Sequence, residues 1–236
     1  MDPYFIREEM ALGEDAVARL RTAHVAVFGI GGVGSYTAEA LARAGVGKLT
    51  LVDNDTVSPS NINRQICALH STIGQYKAQV MANRVMDINP DCNARAICAL
   101  YCEEDKAVFF DQSYDYIADC IDLVSCKLSL IQTAREHSIP TISALGTGNK
   151  LDPSQFRVTD IAQTSGCPLA RVIRRELRAR GIEHHRVLFS PEPPLTPIAL
   201  ETPPPGRRSI PASVSWVPSV AGLMIAGHII TDLIRE

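Results

Sequence analysis

Four glycines within six residues, Gly29-Ile30-Gly31-Gly32-Val33-Gly34, leave this chain few folds to adopt, because of what stands on either side of them. Ahead lies His24-Val25-Ala26-Val27-Phe28, a short apolar run rich in β-formers. Behind, residues 35–44 combine helix formers with small alanines suited to close packing on a sheet. The glycines therefore occupy a strand-to-helix turn, where the missing Cβ permits a tight bend and lets backbone N–H groups approach a phosphate at the positive end of the helix dipole. The next apolar run, Lys48-Leu49-Thr50-Leu51-Val52, delivers Asp53 about 20 residues on, where a fold of this kind hydrogen-bonds a ribose hydroxyl. With this context the loop predicts nucleotide binding; a bare glycine pattern would mean only a tight turn.

The residues beyond Asp53 distinguish a redox dinucleotide from ATP. A dehydrogenase needs little beyond the loop and its acid, since the nicotinamide brings its own chemistry. This chain adds Asp55, then Asn61-Ile62-Asn63-Arg64-Gln65, then Lys77 on the polar side of a helix expected to begin near Gly74. Two cations and several amides beside a phosphate loop suit a group that gains negative charge during attack at phosphorus. The bland alternative is a polar loop in which Arg64 pairs with Asp53 or Asp55. A further acid, Asp122, closes the run Tyr114-Asp115-Tyr116-Ile117-Ala118-Asp119-Cys120-Ile121-Asp122 and so falls at the carboxyl end of a strand, the ligand side of an open α/β sheet. There it can hold Mg2+ beside a triphosphate, or merely cap a helix starting near Leu123, with Asp119 a buried, hydrogen-bonded acid.

At 236 residues and 46% hydrophobic, the chain can bury one sizeable core. Strands near 24–28, 48–52, 93–98, 115–119, 139–143, 155–160 and 186–190, with helices between most of them, predict an α/β fold. The expected architecture is a Rossmann-like, doubly wound, mostly parallel sheet in a single domain over residues 1–236. Pro191, Pro193, Pro194, Pro197, Pro203, Pro204 and Pro205 mark residues 191–208 as an extended crossing segment, either a lid or a connector, rather than a second domain. The N-terminal residues lack the apolar core of a cleavable signal. The apolar run 214–234 is interrupted by Pro218, His228 and Asp232, and its small residues Ala221, Gly222, Ala226 and Gly227 suit close packing. It predicts a buried core or dimer helix with no membrane involved.

In order and spacing, Gly29-x-Gly31-Gly32-x-Gly34, Asp53-x-Asp55, Asn61-x-Asn63-Arg64-Gln65, Lys77 and Asp119-Cys120-Ile121-Asp122 resemble the ubiquitin-activating-enzyme-like adenylyltransferase superfamily (ThiF/MoeB/HesA). The resemblance implies that Asp53 binds the ribose of ATP, that Asn61, Arg64 and Lys77 hold its phosphates, and that Asp122 holds magnesium. It also implies a homodimer in which Arg7 reaches the other subunit's ATP. No two of the seven cysteines form a C-x-x-C pair, so the four-cysteine zinc site of many bacterial sulfur-carrier activators is not visible. The odd number of unpaired thiols fits a reducing, cytoplasmic setting. Cys167, just before Pro168 at the mouth of an expected helix, is either a reactive thiol at a helix N-terminus or a residue that simply starts the helix.

The second half narrows the resemblance to the tRNA threonylcarbamoyladenosine dehydratase family. It is carried by Leu151-Asp152-Pro153-Ser154-Gln155-Phe156-Arg157-Val158-Thr159-Asp160, by Pro168-Leu169-Ala170-Arg171 and Arg174-Arg175-Glu176-Leu177-Arg178, and by Trp216-Val217-Pro218-Ser219-Val220-Ala221-Gly222. Members use ATP to activate the carboxylate of threonylcarbamoyladenosine in tRNA and close it to a cyclic form, releasing AMP and pyrophosphate. A sulfur-relay protein is a further candidate partner. Charge agrees with an RNA partner: residues 171–186 hold six arginines against two glutamates in a chain of net charge −3, a basic helix region where Arg171, Arg174, Arg175 and Arg178 can face phosphates. A solvated arginine helix would look the same. Aromatics are only 6% of the chain, so stacking partners for a splayed base are scarce.

Two other classes share the loop. An activator of a ubiquitin-like or sulfur-carrier protein would adenylate a C-terminal carboxylate with the same residues, and a nicotinamide-dependent oxidoreductase would bind NAD and be indifferent to Arg64. Titration calorimetry with each nucleotide separates the last of these: ATP binds and NAD does not, and preferential NAD binding would overturn the ATP reading.

Overall fold

Burial of β1 (His24–Phe28) along its whole length sets the frame: a parallel strand covered on both faces is near-continuously apolar, and its one polar member, His24, is satisfied by Thr50 Oγ1 at 2.9 Å. In the computed structural model, which describes residues 3–200 and 210–235, the elements run in chain order as α1 (Ile6–Leu12), α2 (Glu14–Thr22), β1, α3 (Gly34–Arg43), β2 (Lys48–Val52), α4 (Lys77–Ile88), β3 (Asn93–Ile97) and α5 (Lys106–Phe109). They continue as β4 (Tyr116–Asp119), α6 (Val124–Glu136), β5 (Thr141–Ala144), β6 (Arg157–Asp160), α7 (Pro168–Ala179), β7 (Arg186–Phe189) and α8 (Trp216–Ile234).

The seven strands form one sheet in the order β3-β2-β1-β4-β5-β7-β6. All neighbours are parallel except β6 and β7, which pair antiparallel. The α/β, mostly parallel prediction holds. Strand order reverses between β1 and β4, and the crevice beyond the carboxyl ends of these two strands is where such sheets bind ligands. The glycine loop and the Asp119-Cys120-Ile121-Asp122 turn leave the sheet there.

Several boundaries differ from expectation for local reasons. The strand expected over 139–143 runs 141–144 because Ser138 adopts a left-handed φ of 57° and Pro140 follows. The strand expected over 155–160 begins at Arg157, because Asp152 accepts a hydrogen bond from Ser154 N (3.0 Å) and turns Pro153–Gln155 into a 3-10 turn. The helix expected from Gly74 opens at Lys77, since residues 55–57 and 74–77 pair first: Val57 N donates to Gln75 O (2.8 Å) and Lys77 N to Asp55 O (3.0 Å).

The C-terminal run forms α8, among the described residues the one helix long and apolar enough to cross a membrane by length and composition. One face, with Val217, Ala221, Ile225, Ala226 and Ile229, lies in the main core against α3. Its opposite face leaves Trp216 and Leu223 half exposed. Gly222 makes the approach possible. A Cβ there would overlap Val33 O and stand 2.8 Å from Tyr36 Cβ, while Thr37 Oγ1 donates to Gly222 O at 3.2 Å. Gly222→Ala is therefore expected to destabilise the fold by about 1–3 kcal/mol through overpacking, read as a lower urea midpoint at unchanged slope.

Candidate active site

Four of the sequence motifs meet at the carboxyl ends of β1, β2 and β4. Gly29 takes a φ of +87° as β1 ends, and its N–H donates to Val52 O at 2.8 Å. A side chain there would be strained, and its Cβ would stand 2.7 Å from Cys120 O. Gly34 packs on Gly29 O so closely that a Cβ would overlap it, which seats the start of α3 directly on the loop. Asp53, one residue past β2, accepts from Ile30 N (2.6 Å) and from Asp55 N (2.8 Å), tying the glycine loop to the next loop. Burial pushes its carboxyl above the usual range, opposed by the Asp55 N–H and the charge of Lys77.

Lys77 is buried rather than on the polar side of its helix, and its Nζ pairs with Asp55 Oδ2 at 2.8 Å. Asn61 is also buried. Its Oδ1 accepts from Ser58 N (3.1 Å), closing the 3-10 turn Pro59–Asn61. Arg64 donates to Ser60 O (2.7 Å) and Asn63 Oδ1 (2.9 Å) and makes no ion pair among the described residues, so the alternative of a pairing with Asp53 or Asp55 is not adopted. Asn63 reaches in the other direction, donating to Ser213 O at 3.0 Å. Gln65 is buried beside Gly31, and the Arg64 backbone lies beside Gly32.

Asp119, fully buried at the end of β4, accepts from Lys127 Nζ (2.7 Å), Ser143 Oγ (2.6 Å) and Ile121 N (3.1 Å). It shapes the turn that carries Asp122. Asp122 itself is exposed, caps nothing, since Leu123 stands at the N-cap of α6, and has no hydrogen-bond or ion-pair partner among the described residues. An exposed, unengaged carboxylate at the carboxyl end of the sheet, two residues past the Cys120 carbonyl that packs on Gly29, fits what magnesium takes from a protein when a triphosphate and water supply its remaining oxygens.

Residues 6–236 match the ThiF family. The chain belongs to the ThiF family. It is 42% identical over 241 residues to the tRNA threonylcarbamoyladenosine dehydratase of Bacillus subtilis, covering 98% of this chain and 95% of that protein. Among solved structures, Escherichia coli tRNA N6-threonylcarbamoyladenosine dehydratase, TcdA, in complex with ATP superposes with a TM-score of 0.88 at 34% identity, covering 98% of this chain and 93% of that one. The molybdopterin-synthase adenylyltransferase of Escherichia coli is 33% identical over 129 residues, 55% of this chain and 51% of that protein.

Other predicted residues of this ThiF family chain stand apart from the crevice motifs. Arg7 is exposed on α1, and no hydrogen bond or ion pair joins it to the site among the described residues. Of the four arginines singled out, Arg171 and Arg178 are exposed with no ion pair among the described residues, Arg175 binds Glu176 (2.7 Å), and Arg174 turns back to Thr164, donating to both its carbonyl and its hydroxyl at 2.6 Å. The basic helix ends at Ala179, so Arg180 and Arg186 lie beyond it. Cys167 is buried and caps α7, its Sγ accepting from Ala170 N at 3.5 Å. The part of the Pro-rich segment at residues 201–208 lies outside the described residues. Its beginning is docked: Lys150 Nζ donates to Glu192 O, and the Glu192 carboxylate accepts from Leu151 N (3.0 Å) and Asp152 N (3.2 Å).

Sequence reasoning missed Lys127 and Ser143, which hold Asp119, and Asn149, which ties the segment after residue 191 to that before α8. Asn149 adopts a φ of 60°; its N–H donates to Ala212 O (2.8 Å), its Oδ1 accepts from Ala212 N (2.7 Å), and its carbonyl accepts from Leu195 N (2.9 Å). Nothing local marks these three; a Lys eight residues past an Asp has no motif of its own. Lys127 and Asp119 are both wholly buried, so Lys127→Ala should cost roughly 3–5 kcal/mol by stranding the carboxylate. The Lys127→Ala/Asp119→Ala double variant should recover part of that loss in thermal or urea melts.

Proposed function

We propose that this chain catalyses the ATP-dependent dehydration of N6-threonylcarbamoyladenosine in tRNA to its cyclic form, working in the cytoplasm as a homodimer. The observation that carries this reading is the convergence of the glycine loop, Asp53, the Asn61–Arg64 region, Lys77 and the unengaged Asp122 in one crevice of a chain so similar, over nearly its full length, to dehydratases of that substrate. TcdA is also known in complex with AMP, the nucleotide that carboxylate adenylylation would release.

ATP would lie with its phosphates on the backbone N–H groups of residues 29–34 and its ribose on Asp53. Asp53 already accepts one N–H at each oxygen, and each oxygen keeps a second lone pair for a ribose hydroxyl. Asp122 would hold magnesium, which when bound offsets charge on the triphosphate. The substrate carboxylate attacks the α-phosphorus, the bond to the bridging oxygen breaks, and pyrophosphate leaves. Arg64, Lys77 and the Asn61 loop stabilise the charge that gathers there, with Gln65 backing the glycine loop. The urea oxygen of the same nucleoside then attacks the acyl carbon, AMP departs with the former carboxylate oxygen, and a urea N–H proton is lost as the ring closes. No protein nucleophile is needed, which suits a Cys167 used as a helix cap.

Arg171, Arg175 and Arg178 on the exposed side of α7 would contact the tRNA backbone, with Arg174 holding the helix to Thr164 instead. The dimer would cover a cavity of about 370 Å³ where Glu8, Tyr36, Arg43, Ile66, Leu223 and Ile230 meet, a face to which α1, the helix carrying Arg7, contributes Glu8. A reading as a carrier-protein activator draws on the shorter likeness to molybdopterin-synthase adenylyltransferase and requires AMP release to depend on such a carrier. The deciding experiment is mass spectrometry of nucleosides from modified tRNA incubated with protein and ATP, which should show loss of one water. Arg64→Ala and Asp122→Ala should each lower AMP formation by roughly 100-fold or more while circular dichroism stays native. Near-normal turnover in either variant would remove that residue from the mechanism.

A further inference from the structure

Among the described residues, three large aromatic side chains are exposed: Tyr4, Tyr76 and Trp216. Tyr76 immediately precedes Lys77 and bridges Thr56, on the β2 side of the crevice, the half given to ATP. Trp216 is placed on the other half. As the first residue of α8 it stands two positions before Pro218, whose Cβ would lie 3.1 Å from a Cβ on Gly32. Its indole Nε1–H donates to Leu151 O at 2.8 Å, in the loop that leaves the carboxyl end of β5. Three residues upstream, Ser213 O accepts from Asn63 Nδ2, next to Arg64. Trp216 is thus tied to the glycine loop, to the Arg64 region and to the β5 loop, on the side of the crevice that the proposed ATP pose leaves to its reaction partner.

The exposure has a chemical meaning. The one polar atom of the indole already donates to Leu151 O, which fixes the ring's orientation while Trp216 as a residue stays 49% open to water. A ring with an apolar open surface and no spare donor suits a flat heterocycle stacked on it, and every nucleobase has such a face. We infer that Trp216 is the platform on which the modified adenine stacks, placing its threonylcarbamoyl carboxylate toward the α-phosphate bound at the glycine loop. This assignment rests on the proposed dehydratase function. It deepens that reading by supplying the stacking partner that an arginine patch cannot.

Trp216 is the only tryptophan in the chain, which makes the test direct. An anticodon stem-loop RNA carrying threonylcarbamoyladenosine should quench the intrinsic fluorescence of the full-length protein as it binds. In anisotropy titrations with the same RNA, Trp216→Ala should raise Kd by roughly 10- to 100-fold, leave ATP affinity by calorimetry unchanged, and raise KM for tRNA more than it lowers kcat. Trp216→Phe, which keeps a ring face, should restore most of the affinity. The inference is overturned if RNA binds with no change in emission, if Trp216→Ala binds RNA as the wild type does, or if the variant loses ATP affinity and sediments differently, since the ring would then be structural. Failure of the wild-type protein to bind the modified stem-loop at all would instead overturn the parent function, and this assignment with it.

Discussion

Backbone packed directly on backbone is the constraint on which the rest of this structure depends. Gly29 lies against the Cys120 carbonyl, Gly34 against the Gly29 carbonyl, and Gly222 against the Val33 carbonyl. At each point a single Cβ would force the elements apart. The three contacts register β1, the turn after β4, α3 and α8 on one another with no side chain in between. The glycine loop is thereby part of the core rather than an appendage to it, and its N–H groups keep a fixed direction.

Charge inside this frame is arranged so that two of the candidate residues, Arg64 and Asp122, keep no ionic partner among the described residues, while the candidate Lys77 and the supporting Asp119 are each paired. Asp119 and Lys127 neutralise each other out of water, and Ser143 passes the network on to His185 Nε2 at 2.7 Å. Burial and the charge of Lys127 push the His185 imidazolium down to about 3, so this histidine stays neutral and does not add a second cation beside Lys127. Asp53 and Lys77 are similarly committed to neighbours that shape their loops. Asp122 and Arg64, in contrast, have no ionic partner among the described residues, as the proposed binding of a polyanion and its counter-ion would require.

The sequence revealed what depends on local pattern. The glycine loop, the mostly apolar β1, the acid after β2 and the placing of Asp122 beyond a strand are all read from spacing within a few residues, and they determine the fold class and the crevice. Features made by distant pairs were hidden. That Lys77 is buried depends on the pairing of residues 55–57 with 74–77, which turns the helix start inward. That Arg174 serves Thr164 depends on how α7 lies on the 3-10 turn Ile161–Gln163, not on the run of arginines. The antiparallel β6 was likewise unreadable, since its four residues look like any edge strand.

Asn149 gives the molecule a different kind of freedom. Leu195 and Ala212 are both hydrogen-bonded to this one residue, so the intervening chain departs from and returns to a single point. Because both anchors meet at Asn149, the spacing between them in sequence is decoupled from the placement of Trp216 and α8, and chain between two pinned points can lengthen or shorten at small entropic cost. Evolution can thus vary the number of residues between these two anchors without moving α8 or the β5 loop that Asn149 belongs to.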